Sequence, residues 1–391
     1  MLQDTGWEGN KRNKSSSASY AQLFLNEYEK RIQPCEEQDI FSAFPQNFDG
    51  TGFDAIVSTY HPSSSDPEAA VSEKVLNLIK DLLKLPHTEG ALVHCIDTSK
   101  SSQGLIEGNC CPDITGSVTA AGEIHHSIDA VWVGELKRRS KVSSDAAKAQ
   151  TLNYAKALLS SQPWRKKFHL FLTDGIDIYF YCYHRDEVPI KEHKATMQPT
   201  GTVMQPAGTV MQPTGIRLLA RFLHATAQQH GHSSPQPIPC NGLQYDYTSY
   251  LGAGASSSVL CYYQGNESVA VKFYDGVAMD ILERESEILR KLEGVNGVPK
   301  IVLRGENHLV ITPVGRKLHS SDFSADLLQK YIQVVKDIHQ KGVLHMDLRL
   351  PNLMLQDDGE TPLIVDFGFA RTEEGPLSKL LGGANEKVTA V

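Results

Sequence analysis

The sequence predicts two folded parts, an α/β domain followed by an α+β domain. Three observations carry this reading. Residues from about 65 to 185 alternate helical and strand-like patterns in the order helix, strands, helix, strands. Residues 191–240 interrupt that pattern with a repeated Met-Gln-Pro unit and a proline-rich run. From 241 onward a glycine-rich turn, a strand, a helix and another strand follow at short intervals. At 391 residues the chain is long enough for two cores of ordinary size.

Residues 1–20 are polar and Ser-rich and read as a disordered tail, so the first domain is expected over 21–190. Helical periodicity begins near Tyr20. A stronger helix follows Asp66-Pro67, where Asp66 can cap and Pro67 suits the first turn; Val71, Val75, Leu76, Ile79, Leu82 and Leu83 then form one apolar stripe. ALVHCI, PDITGSV and DAVWVGELK read as strands, and 146–160 reads as a helix with Ala147, Leu152, Ala155 and Leu159 at helical spacing. FHLFLTD and DIYFYCY close the domain as two strands around a Gly turn. The seven-residue unit repeated between 195 and 215 carries Pro and Gly in every copy, so it reads as a linker rather than a solenoid. A short helix from Ile216 to Gln229 and the HSSPQPIP run complete that linker.

Bulk properties exclude several classes. A net charge of -8 argues against global attraction to nucleic acid or an acidic membrane. No run approaches the roughly 20 apolar residues of a membrane span. The N-terminus has no apolar core of a secretory signal, so an intracellular protein of nucleus or cytoplasm is expected. Seven Cys without CxxC pairs fit reduced thiols, and the adjacent Cys110 and Cys111 read as incidental rather than metal-binding.

HMDLRLPN, from His345, is followed thirteen residues later by DFG, from Asp366. This spacing resembles the catalytic and metal-binding loops of protein kinases. The resemblance implies that Asp347 orients the attacking hydroxyl, that Asn352 and Asp366 hold magnesium, and that Arg349 supplies positive charge to the γ-phosphate of ATP. Met346 replaces the Arg that commonly reads a phosphorylated activation loop. Upstream, YLGAGASSSV resembles the glycine-rich loop, with Gly252 and Gly254 allowing backbone approach to phosphate and Ser257 replacing the third glycine. Lys272 of VAVK follows Gly254 by eighteen residues, the place of the phosphate-binding lysine. On the next predicted helix, with Ile281, Leu282, Ile288, Leu289 and Leu292 apolar, Glu285 is the best match for its partner, ahead of Glu283 and Glu287. Val259, Ala270, Ile311 and Val314 would then surround the adenine.

In the first domain, Pro112-Asp113 precedes Glu135-Leu136-Lys137 by twenty-two residues from Asp to Glu. The pair resembles the PD-(D/E)xK nuclease motif, in which two carboxylates bind magnesium and the lysine steadies the attacking water. Glu135 and Lys137, two apart on a strand, face one side. Gln150 and Tyr154, four apart on the following helix, resemble a QxxxY motif of the RecB-like branch. Asp129 is a weaker candidate ligand. Residues 131–170 hold nine Lys or Arg against two Asp or Glu, a local excess that suits a DNA backbone.

The pairing resembles the Crinkler-type and fungal-type kinase family: a restriction-endonuclease-like domain, then a protein-kinase-like bilobal domain over 241–391 with a reduced C-lobe, shortened after DFG. It implies a Ser/Thr protein kinase using ATP and Mg2+, with an unknown protein substrate and an N-terminal nuclease-like domain. The alternative is a nucleotide-binding scaffold coupled to DNA binding or to Mg-dependent cleavage.

Overall fold

The computed structural model describes residues 17–45, 52–63, 65–86, 93–98, 112–119, 127–185, 189–197, 215–253, 257–274 and 278–372. Gly254, Cys110, Cys111 and nearly all of the Met-Gln-Pro repeat lie outside them. The chain divides into two compact units, residues 1–234 and 235–391. Among the described residues no helix is long and apolar enough to cross a membrane.

The first unit opens with α1 (Ser17–Leu23), which continues into a π-helical turn (Phe24–Tyr28). Then come β1 (Ile32–Pro34), α2 (Glu37–Phe41), α3 (Phe53–Thr59), α4 (Glu68–Leu82), β2 (His94–Asp97), β3 (Ile114–Ser117) and β4 (Ala130–Leu136). The unit closes with α5 (Arg139–Val142), α6 (Asp145–Ser161), β5 (Lys167–Thr173), β6 (Asp177–His184), β7 (Ile190–Thr196) and α7 (Gly215–His224). The seven strands form one sheet in the order β1-β7-β6-β5-β4-β3-β2, with β1/β7 and β4/β5 parallel and the other pairs antiparallel. Strand alternation divides the core into two layers. Ile178, Phe180 and Cys182 of β6 join the apolar faces of α2, α3, α4 and α7, while Tyr179, Tyr181 and Tyr183 join α6 and the N-terminal helix.

Three sequence expectations change. Helix α1 begins at Ser17, inside the expected tail. Pro67, not Asp66, occupies the cap position of α4; Asp66 instead accepts the Ser63 amide at 2.8 Å and pairs with Lys74 at 2.7 Å. The first unit also extends past 190. β7 lies between β1 and β6, and α7 is buried along Ile216, Leu219, Phe222 and Leu223. The strand was hidden because it is rich in charge, and its charges are paired: Glu192 with Lys148 at 2.9 Å and Lys194 with Asp177 at 3.3 Å.

The second unit begins with β8 (Ile238–Cys240), β9 (Leu243–Ala253), β10 (Ser257–Gln264), β11 (Glu267–Tyr274), α8 (Met279–Lys291), β12 (Lys300–Arg304) and β13 (His308–Thr312). These strands form an antiparallel sheet in the order β12-β13-β11-β10-β9-β8. The rest comprises β14 (Arg316–Lys317), α9 (Ala325–Gln340), β15 (Val343–Leu344), β16 (Leu353–Leu355), β17 (Pro362–Ile364) and β18 (Arg371–Thr372). Ser324 caps α9 by accepting the Leu327 amide at 3.1 Å. One core joins Leu282 and Leu289 of α8, Leu309 and Ile311 of β13, Val334 and Ile338 of α9, and Ile364 and Phe367.

Within the first unit, Arg165 is 1% exposed and donates to the carbonyls of Lys167, Ala130, Val131 and His230 at 2.6–2.9 Å. His169 and His230 are buried beside it with ring centroids 5.4 Å apart, and His230 Nε2 donates to Phe222 O at 2.9 Å. Burial pushes the His230 imidazole down to about 3 and also depresses His169. Both are therefore neutral in the fold, whereas an unfolded histidine takes a proton near its ordinary value of 6.5. Their contribution to stability is complete above that value and falls as pH drops toward 3. Equilibrium unfolding of the first unit should show a loss of about 2 kcal/mol from His230 alone between neutral pH and pH ~5. His230→Phe should flatten this acid slope, and an unchanged slope would remove His230 as its source.

Candidate nucleotide site and a second acidic cluster

Alternation on β11 turns Ala270, Lys272 and Tyr274 to one face. The Lys272 side chain is 7% exposed, and its Nζ lies 2.7 Å from Glu285 Oε2 and 2.7 Å from Asp366 Oδ1. Helical spacing turns Glu285 inward with Leu282 and Leu289. Glu283 instead meets Arg304 at 2.9 Å, and Glu287 is exposed. Burial opposes the charge on Lys272, but the carboxylates of Glu285 and Asp366 outweigh it and raise the ammonium above its ordinary range. For Asp366 the reverse holds: burial disfavours its charge, and Lys272 overcomes this and keeps it ionised.

The turn after β15 assembles the remaining groups. His345 Nε2 donates to Val365 O at 3.0 Å, while its Nδ1 accepts the Asp347 amide at 3.3 Å. Asn352 Nδ2 donates to Asp347 O at 2.9 Å and to Asp347 Oδ2 at 3.0 Å. Arg349 Nε lies 3.0 Å from the same Oδ2. With Nδ2 committed, Asn352 has Oδ1 to offer a cation, and Asp366 has its second oxygen. Two hard oxygen donors fit magnesium, which usually takes one or two protein ligands with substrate phosphates. Met346 and Asp366 both have left-handed backbones, φ 64° and 68°. Gly368 is needed for close approach, since a Cβ there would stand 2.9 Å from Ile281 of α8.

Gly252 and Val259 are directly opposed on β9 and β10, and Ser257 opposes Tyr274. Ala270 is in register with Ile311, and Val314 follows Thr312-Pro313 just beyond β13. An open cavity of about 560 Å³ borders Thr312, Pro313 and Val314. Its β11 wall is Glu267, Ser268 and Val269; of the residues expected around the adenine it includes Val314 but not Val259, Ala270 or Ile311.

In the first unit, Asp113, Glu135 and Lys137 do converge. Lys137 Nζ contacts Glu135 Oε1, and Asp113 Oδ2 accepts the Leu136 amide at 2.7 Å. Among the described residues, Glu135 Oε2 is buried without a hydrogen-bond partner. Burial, then the neighbouring Asp113 charge, pushes Glu135 up to about 8. Burial also raises Asp113, and Lys137 is raised by Glu135 despite its own burial. Gln150 Nε2 donates to Tyr154 OH at 2.7 Å, and Tyr154 is raised by burial and by Glu135. Asp129 is not part of the cluster: it precedes β4, six residues from Glu135 or about 20 Å of extended strand.

Four of the nine basic residues over 131–170 are spent within the fold, while Arg138, Arg139, Lys141 and Lys166 are exposed. Lys137 serves Glu135, Lys148 pairs with Glu192, Lys156 pairs with Glu27, and Arg165 is buried. Sequence reading missed Glu68 and Asp97, whose charges raise Asp113. It also missed Tyr274, whose hydroxyl donates to Glu285 Oε2 at 2.6 Å. The place of Glu68 at the start of α4 and the two-residue spacing of Tyr274 from Lys272 were the available signals.

Comparison with known proteins gives partial likenesses. The chain is 28% identical over 164 residues to calcium/calmodulin-dependent protein kinase type 1 of Caenorhabditis elegans, covering 36% of this chain and 47% of that protein. It is 30% identical over 162 residues to the type 1 enzyme of Macrobrachium nipponense, with 36% and 47% covered. It is 35% identical over 80 residues to calcium-dependent protein kinase 27 of Arabidopsis thaliana, with 20% and 16% covered. No family model matches. Part of this mixed α/β chain is thus similar to Ser/Thr protein kinases, and the chain spans about half the length of the type 1 relatives.

The buried ion pair makes its own prediction. Lys272→Met strands the Glu285 carboxylate and should cost the second unit about 3 kcal/mol or more in urea denaturation. Lys272→Met with Glu285→Leu should recover much of that loss, because the two most deeply buried charges of the cluster leave together and only the more exposed Asp366 remains. A double variant no more stable than the single one would sink this assignment.

Proposed function

We propose that the second unit binds Mg-ATP and transfers its γ-phosphate to a Ser or Thr hydroxyl of a protein. The observation that carries this reading is the buried Lys272, bridged at 2.7 Å to both Glu285 and Asp366. The partial similarity to Ser/Thr protein kinases supports it. Lys272 would meet the ATP phosphates while Glu285 holds it in place, and Gly252 would admit phosphate close to the backbone. Val259, Ala270, Ile311 and Val314 would enclose the base. Asp366 and Asn352 would hold magnesium, whose charge offsets that of the phosphates. Asp347 would orient the acceptor hydroxyl, and its proximity to Arg349 keeps positive charge beside it.

Labelled ATP with the full chain should give phosphate incorporation, and Asp366→Ala should reduce it by at least about 100-fold. Equal incorporation in both would end the phosphotransfer reading. Thermal stabilisation by Mg-ATP without incorporation would favour a nucleotide-sensing scaffold instead.

A second reading concerns the first unit. The convergence of Asp113, Glu135 and Lys137, with Glu135 Oε2 buried and unpartnered, favours a Mg-dependent nuclease-like site. A bound cation would supply that missing partner. Of the basic residues expected to face DNA, Arg138, Arg139, Lys141 and Lys166 are exposed, and the acidic cluster carries the reading. Plasmid incubated with magnesium should be nicked by the wild type and spared by Glu135→Ala and Lys137→Ala. Cleavage undiminished in both variants would refute the assignment.

A further inference from the structure

Tyr274 lies two residues beyond Lys272 on β11 and is 1% exposed. Its hydroxyl donates to Glu285 Oε2 at 2.6 Å, the same oxygen that receives Lys272 at 2.7 Å. The other carboxylate oxygen, Oε1, accepts the Phe367 amide at 3.3 Å. Glu285 is therefore gripped by three donors, from β11 twice and from the DFG turn once. We propose that Tyr274 is a positioning residue of the phosphotransfer site, its hydroxyl holding Glu285, and through it Lys272 and α8, in the assembled arrangement before nucleotide arrives. The inference rests on the phosphotransfer reading.

The reasoning is one of competition for a single ammonium. Lys272 divides its donors between Glu285 and Asp366, and an incoming phosphate would compete with both. A buried carboxylate that loses a donor must be compensated or pull its partner back. The phenol supplies that compensation at a fixed distance, which leaves Lys272 freer to engage phosphate. Burial and the adjacent Glu285 raise Tyr274 far above its usual range, so it remains a donor throughout the working pH range. The phenol ring also lies under the ammonium, 5.4 Å from Nζ to the centroid. Because both donors belong to β11, the pair is assembled by the strand itself. It does not wait on a charge at Met346, a position with none to offer.

Tyr274→Phe keeps the ring and removes only the hydroxyl. The full chain carrying it should show a KM for ATP raised about tenfold, with kcat changed much less. A fluorescent ATP analogue should report the same weakening in binding. In a Glu285→Gln background the same substitution should add little, because the hydroxyl acts through that carboxylate. Losses that multiply in the double variant would indicate independent packing and overturn the proposal. So would a KM and analogue affinity within about twofold of wild type, the change expected when no charged-group hydrogen bond has been lost. A wild-type chain that neither binds nor transfers from ATP fails differently: the phosphotransfer reading falls first and takes this inference with it.

Discussion

An ammonium shut away from water must be neutralised where it stands, and Lys272 is held to that condition on two sides. Its partners come from distant parts of the chain: Glu285 from a helix thirteen residues on, Asp366 from a turn ninety-four residues on. Isolated burial of such a charge would be prohibitive, whereas burial with both carboxylates at 2.7 Å is tolerable. That condition orients the sheet, α8 and the DFG turn together. The left-handed backbone of Asp366 is a local strain the pairing holds in place, and Gly368 leaves room for α8 to pack closely beside it.

Two buried groups in the first unit meet the same condition differently. Among the described residues Arg165 meets no carboxylate, and its charge is spread over four backbone carbonyls and Gln162 Oε1. Burial still lowers it to about 9. Glu135 is less well served, since Lys137 satisfies one oxygen and the other has no partner among the described residues. A folded protein rarely leaves such a group orphaned without a use for it. The contrast separates a structural solution from a site that is electrostatically incomplete.

Most of this was legible where periodicity and chemistry agreed. The stripe on α4 and the paired strands β5 and β6 followed from their apolar spacing, and Glu285 followed from its offset to Ile288 and Leu289. β7 was not legible, because IKEHKAT is charged and its burial depends on partners far away in sequence. Helix α7 was read as part of a linker because the repeat before it masked its continuity with the first core. The basic run from 131 to 170 was only partly legible for a related reason: charge counts along a chain do not reveal that Lys148 and Lys156 are paired or that Arg165 is buried. Tyr274 escaped notice because a tyrosine on a strand is most simply read as core, and only the position of Glu285 gives its hydroxyl a role.

The two sides of the candidate phosphotransfer site differ in readiness. On the nucleotide side, Lys272 and Glu285 are buried with their hydrogen bonds made. On the acceptor side, the Arg349 side chain is 58% exposed, and Met346, Leu348, Leu350 and Phe369 all present apolar surface. Preorganised charge is worth most where no reorganisation is needed at the moment of reaction, and under the proposed reading that holds for the nucleotide side but not for the acceptor side. Asp347 bridges the two: His345 and Asn352 fix it to the buried side, while Arg349 faces it from the open one. An acceptor docking on this loop would have to leave Asp347 in place, because the hydrogen bonds that orient it also hold Asn352.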